Sequence, residues 1–163
     1  MHVWRLCRKR FSKDPLSGEG GLYASGRWHS APRLVVYASE SLALASLELL
    51  VHVDPDLVPG DLIAIEIDVP SRVSVTELPL SDLPKSWRSY PAPRSLQELG
   101  NAWLDGRKTA VLRVLSAAIP RERNFLINPL HRDARHIRLI GKTPFAFDPR
   151  LLRRRPGTSQ GDG

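Results

Sequence analysis

Leu62-Ile63-Ala64-Ile65-Glu66-Ile67-Asp68-Val69 has the period of a strand with one buried face. The odd positions Ile63, Ile65, Ile67 and Val69 are all branched and apolar, while Glu66 and Asp68 alternate with them toward water. Asp54-Pro55 and Pro59-Gly60-Asp61 break the chain just ahead of it. Upstream, Leu34-Val35-Val36-Tyr37-Ala38 is short, apolar and β-branched, so it reads as a buried strand. Ser39 or Ser41 then caps a helix expected to run to about residue 52, with Glu40 in its first turn. Leu44, Leu47, Leu49, Leu50 and Val51 surround that helix, so it is expected to be mostly buried, and Ser41, Ala45, Glu48 and His52 share one of its faces.

The remaining segments follow the same logic. Residues 3–7 alternate apolar and basic side chains as a first strand, and residues 15–26, with Gly18, Gly20, Gly21 and Gly26, form a loop without GxGxxG or Walker spacing. Residues 73–76 suggest another strand, and residues 79–93 a proline-rich connection carrying Trp87 and Tyr90. Ser95-Leu96-Gln97-Glu98 has the pattern of a capping box, which predicts a second helix slightly weakened by Gly100. Val111-Leu112-Arg113-Val114-Leu115 is a buried strand, and residues 137–140 and 145–147 suggest two more. Short strands with two helices and no regular βαβ alternation predict an α+β domain over residues 1–152. The basic tail, residues 153–163, has almost no apolar anchor and is expected to be disordered.

Composition narrows the function classes. The 163 residues are 42% hydrophobic and 25% charged, enough for one globular core. A net charge of +7 favours polyanions, nucleotides or an acidic protein partner. The single cysteine, Cys7, excludes an internal disulfide and a thiolate zinc cluster. No apolar run approaches a membrane span, and the N-terminus lacks a secretory h-region, so a cytoplasmic protein without membrane association is expected.

Chemistry concentrates in Gly26-Arg27-Trp28, Tyr37 and Glu48. A guanidinium, a phenol and a carboxylate suit an anionic nucleotide whose sugar bond is to be strained. Each also has a plainer reading: Arg27 as a surface charge, Tyr37 as a core tyrosine, Glu48 as the solvated face of a helix. Glu48 and His52, one helical turn apart, have the spacing of metal ligands, but His131 and His136 would have to complete the shell, and no metal is expected.

The order of these residues resembles the RES-domain proteins, toxins of bacterial toxin–antitoxin pairs. That family is named for an arginine, a glutamate and a serine, matched here by Arg27, by Glu48 in Ser46-Leu47-Glu48-Leu49-Leu50, and by Ser116 in Leu115-Ser116-Ala117-Ala118-Ile119-Pro120. Tyr37 matches the family tyrosine, and Ile127-Asn128-Pro129 and Phe147-Asp148-Pro149-Arg150 support the likeness. One departure is Leu115, where the family often has proline.

The resemblance implies a fold similar to ADP-ribosyltransferases and an activity that consumes NAD by breaking its nicotinamide–ribose bond, as a glycohydrolase or phosphorylase. Transfer of ADP-ribose to a protein or small molecule is the nearer alternative, and a nucleic-acid-binding or RNA-cleaving protein the more distant one. Arg27, Tyr37 and Glu48 are then the catalytic set. Arg27 is expected at the diphosphate, Tyr37 at the nicotinamide or ribose, and Ser116 at the nicotinamide amide or a phosphate oxygen. It also implies an Xre-like helix-turn-helix antitoxin whose C-terminal part obstructs the site, with a homodimer inside that complex left open. Direct nucleic-acid binding is not expected.

Overall fold

Seven strands form one sheet in the computed structural model, which describes residues 1–152. In chain order the elements are β1 (His2–Arg8), α1 (Gly20–Tyr23), β2 (Val36–Ser39), α2 (Leu42–Leu50), β3 (Leu62–Asp68), β4 (Val75–Glu77), α3 (Arg94–Gly106), β5 (Val111–Leu115), β6 (Arg123–Ile127) and β7 (Arg138–Phe145). The sheet order is β4-β5-β6-β2-β1-β3-β7, and every pairing is antiparallel except β4 with β5. Parallel neighbours need a crossover, and here α3 lies in the connection between them. The architecture is the α+β class expected.

β2 explains why its stretch is continuously apolar. Val36 and Ala38 join a buried cluster with Val3, Ile65, Ile67, Phe125 and Ile127, while Val35 and Tyr37 join another with Leu96, Leu112, Val114 and Leu126. A strand covered on both faces carries no polar alternation. β3 departs from its predicted pattern for the same reason: Leu62 and Ala64 are buried as well as Ile65 and Ile67, and Ile63 is only half-buried.

Other boundaries also differ. In place of two strands at 137–140 and 145–147 there is one, β7, because Gly141 and Pro144 are accommodated at the sheet's edge, where proline is tolerated. Phe147 lies beyond it and packs edge-on against Phe145. α2 ends at Leu50 and exposes Leu47 and Val51, so only Leu44 and Ala45 are buried on it. Its cap is Ser41, which accepts from the Leu44 amide at 3.0 Å. Glu40 sits ahead of the cap and extends the β2–β6 ladder through the Arg123 carbonyl. The capping box at Ser95 does not form: α3 starts at Arg94 behind Pro93, without a side-chain cap. The tail beyond residue 152 lies outside the described residues.

Candidate active site

One face of α3 holds the loop that carries Arg27. Gln97, Gly100, Asn101, Leu104 and Asp105 recur at helical spacing. Gln97 Nε2 donates to the Gly26 carbonyl at 3.0 Å. Asn101 accepts from the Ser30 amide at 3.0 Å and donates to the Ser30 hydroxyl at 2.8 Å. Arg33 and Asp105 form a two-pronged ion pair at 3.0 and 2.9 Å. At Gly100 the loop comes so close that a Cβ would lie 1.7 Å from the Trp28 carbonyl oxygen. This glycine is a requirement of packing, where the sequence shows only weakened helix propensity.

The opposite side of the loop is pinned to β2. The Tyr37 hydroxyl accepts from the Trp28 amide at 3.3 Å and is hydrogen-bonded to His29 Nδ1 at 2.8 Å. Gly26 makes room for it, since a Cβ there would stand 2.7 Å from the phenol oxygen. Burial pushes the Tyr37 phenol well above its ordinary pKa, against weaker opposing effects of the Trp28 backbone and Arg27. Tyr37 is therefore a neutral phenol at physiological pH. Burial also pushes the His29 imidazole below its ordinary value, against the pull of the Ala24 and Gly21 backbone. The Tyr37 hydroxyl is thus engaged on both sides. Replacing it with phenylalanine strands a buried amide and imidazole, and about 1–3 kcal/mol of stability is expected to go with the hydroxyl. Urea unfolding measures it, and an unchanged midpoint would refute the pin.

Arg27 leaves the loop toward the proline-rich connection. Its Nη1 donates to the Trp87 carbonyl at 2.7 Å, and both terminal nitrogens reach the Ser89 carbonyl at 3.3 Å. Partial burial lowers its pKa, while the nearby charges of Glu48 and Tyr37 work in the other direction. It keeps its charge regardless, as guanidinium does in proteins.

Glu48 projects from α2 toward the far ends of β5 and β6. Its Oε1 accepts from Ser116 Oγ at 2.6 Å and from Asn124 Nδ2 at 2.5 Å. Asn124 is itself fixed, because its Oδ1 accepts from Ser39 Oγ at 2.7 Å across the β2–β6 pairing. Among the described residues, Oε2 takes no hydrogen bond. The carboxylate thus has one oxygen locked and one unspent. Ser116 is fully buried, donates its proton to Glu48, and accepts from the Ile119 amide at 2.9 Å. In this arrangement the serine hydroxyl bridges the Glu48 carboxylate and the Ile119 amide.

The structure therefore joins Glu48 directly to Ser116, and Tyr37 to the loop that carries Arg27 through the Trp28 amide and His29; among the described residues no hydrogen bond or ion pair joins Arg27 to Glu48. Sequence reasoning missed Asn124, Ser39, His29 and Gln97 as members of this framework. In the sequence Ser39 reads only as a helix-cap candidate, a part Ser41 takes, and Gln97 only as an interior position of the pattern at residues 95–98; Asn124 and His29 are brought in by strand register and loop packing. A hollow of about 560 Å³ opens nearby, with Trp87, Leu115 and Arg123 among its lining residues, but not Arg27, Tyr37 or Glu48. Among the described residues no group of three or more His, Cys, Asp or Glu is placed to hold a metal, so Glu48, His52, His131 and His136 do not converge.

A family model described as the RES domain matches residues 2–148. The chain belongs to the RES-domain family. Relatives of this RES domain include the "Prs ADP-ribosylating toxin" of Sphingobium sp., 36% identical over 155 residues, which span 93% of this chain and 96% of the relative. A protein named "Toxin Res" from Pseudomonas putida is 39% identical over 154 residues, 93% of this chain and 100% of the relative. Another "Toxin Res", from Photorhabdus laumondii, is 32% identical over 154 residues, 94% of this chain and 98% of that one. In three dimensions the RES domain superposes on a chain of the M. tuberculosis MbcT–MbcA toxin–antitoxin complex with a TM-score of 0.75, covering 93% of this chain and 86% of that one. Sequence identity to it is 17%, so this likeness speaks to fold.

Proposed function

We propose that this RES domain is the toxin of a toxin–antitoxin pair and consumes NAD by breaking the bond between nicotinamide and ribose. The bond's electron pair leaves with the nicotinamide nitrogen, which becomes neutral, and the ribose carbon passes through an oxocarbenium-like state as in glycoside cleavage, until an oxygen of water, which gives up a proton, or of phosphate bonds to that carbon. Glu48 is the group that meets this positive charge. The observation that carries the reading is its fixed carboxylate: Ser116 and Asn124 hold Oε1, and Oε2 is left for a ribose hydroxyl or the developing cation. Such preorganised charge stabilises the transition state more than the ground state. Arg27, a planar fork suited to phosphate oxygens, holds the diphosphate. Tyr37 sets the Arg27 loop and offers its ring to the nicotinamide side, and Ser116 acts through Glu48.

Purified protein incubated with NAD is expected to release nicotinamide. Arg27→Ala should raise KM roughly 10–100-fold, the loss of charge-assisted bonds to phosphate, with a smaller effect on turnover. No nicotinamide from the wild-type protein sinks the proposal. The name of the Sphingobium relative favours a second reading of the final step, transfer of ADP-ribose to a macromolecule. Mass spectrometry of the second product separates ADP-ribose, its phosphorylated form and a modified protein.

The toxin reading also assigns a partner, an antitoxin of the Xre-like helix-turn-helix kind that covers the site, and a place of action in the cytoplasm, where NAD is abundant. Among the described residues no helix is long and apolar enough to cross a membrane. Co-expression with the product of the neighbouring gene should restore growth and NAD levels together.

A further inference from the structure

The Arg27 guanidinium is anchored on the Trp87 carbonyl, and Trp87 is also a lining residue of the 560 Å³ hollow. Two more residues tie that hollow to the site. Leu115 precedes Ser116, and Arg123 precedes Asn124, the pair that grips Glu48. The hollow thus shares Trp87 with Arg27 and borders in sequence the two residues that hold Glu48. Its volume falls within the range of small-molecule pockets. Leu80, Leu115 and Pro120 supply apolar wall, and Arg88, Arg121 and Arg123 supply charge.

These arginines are not equally occupied. Arg123 and the neighbouring Arg113 both bind Glu77, so the lining carboxylate is already neutralised from within the sheet. Arg88 donates through Nε to the Ala117 carbonyl at 3.2 Å, which leaves its terminal nitrogens. Arg121 is exposed, and its side chain makes no hydrogen bond or ion pair among the described residues. An apolar wall beside two guanidinium groups with nitrogens to spare suits a nucleobase followed by a phosphate.

We propose that this hollow takes the adenosine end of the dinucleotide, with the base against the apolar wall and Arg88 and Arg121 on the adjoining phosphate, while Arg27 and Glu48 hold the diphosphate and the nicotinamide ribose. The assignment rests on the NAD reading of the site. It makes the adenosine half a determinant of specificity remote from the bond that breaks, where binding energy is used to position the reacting end.

Nicotinamide mononucleotide has the same scissile bond and lacks the adenylyl half, so it separates the two parts. Nicotinamide release is measured from NAD and from the mononucleotide with wild type, Arg121→Ala and the double variant R88A/R121A, whose exposed positions leave the fold intact by circular dichroism. The expected result is a fall of roughly tenfold or more in kcat/KM for NAD with an unchanged value for the mononucleotide, the loss of a charge-assisted contact. Equal losses on both substrates, or no loss on either, overturn it. Losses seen only when a protein acceptor is present overturn it too and give the hollow to the acceptor. If wild type cleaves neither substrate, the NAD reading fails by itself, and the hollow is judged by calorimetry with ADP: tenfold weaker binding to Arg121→Ala supports it, and absent or unaltered binding rejects it.

Discussion

Glu48→Gln is expected to lower the turnover of NAD by about two to three orders of magnitude while leaving KM within a factor of a few, the scale on which removing one preorganised electrostatic contact acts. Glutamine preserves the shape. Its amide oxygen can accept from Ser116 Oγ and Asn124 Nδ2 as Oε1 does, so the side chain keeps its place and loses only its charge. The interaction removed is the one that grows as the ribose becomes cationic, which is why the loss belongs in kcat. Asn124→Ala makes a useful companion. It leaves the charge and frees its direction, so an intermediate loss is expected, with part of the effect recovered by Asn124→Ser. Single-turnover release of nicotinamide measures both. A Glu48→Gln enzyme within a factor of two of wild type would remove Glu48 from the chemistry.

Much of this site is legible in the sequence as residue types and little of it as geometry. Arg27, Tyr37, Glu48 and Ser116 all stand out there, because a family pattern preserves order along the chain. Their division of labour depends on contacts no linear pattern encodes. Ser116 and Asn124 meet Glu48 only because β5 and β6 pair so that Val114 faces Asn124, and the Ser116 amide continues that ladder to the Glu122 carbonyl. Strands are easiest to read where both faces are buried, as at Val111–Leu115, since a short, solid apolar run fits little besides a covered strand. The edge is harder: β7 is mostly polar or exposed and contains Gly141 and Pro144, so hydrophobic periodicity splits one strand in two. Periodicity overstates the burial of α2 for a related reason. An all-round apolar helix is normally covered on every side, yet α2 lies against β1 and β2 and leaves Leu47 and Val51 exposed.

The largest effect on stability is expected from Gly100→Ala. In an exposed helix this substitution stabilises by about 1 kcal/mol, because alanine has the better helix propensity. Here the new Cβ would stand 1.7 Å from the Trp28 carbonyl oxygen and 2.8 Å from its carbon, and both are backbone atoms that no rotamer change can move aside. α3 and the Arg27 loop must separate. That opens the Gln97–Gly26 and Asn101–Ser30 hydrogen bonds and disturbs the buried Trp28 side chain. Overpacking of this kind costs about 1–3 kcal/mol before the strained bonds are counted, so a net loss of roughly 2–4 kcal/mol outweighs the propensity gain. For a domain of this size that corresponds to a fall in Tm of about 5–15 °C. Gly106, at the end of the same helix, has open space where its Cβ would go, so Gly106→Ala controls for propensity and should not destabilise. Differential scanning calorimetry of the two variants decides between the effects. Because the loop that moves carries Arg27, whatever folded Gly100→Ala protein remains should also bind NAD more weakly. Equal melting temperatures for the two alanine variants would mean that α3 does not clamp this loop.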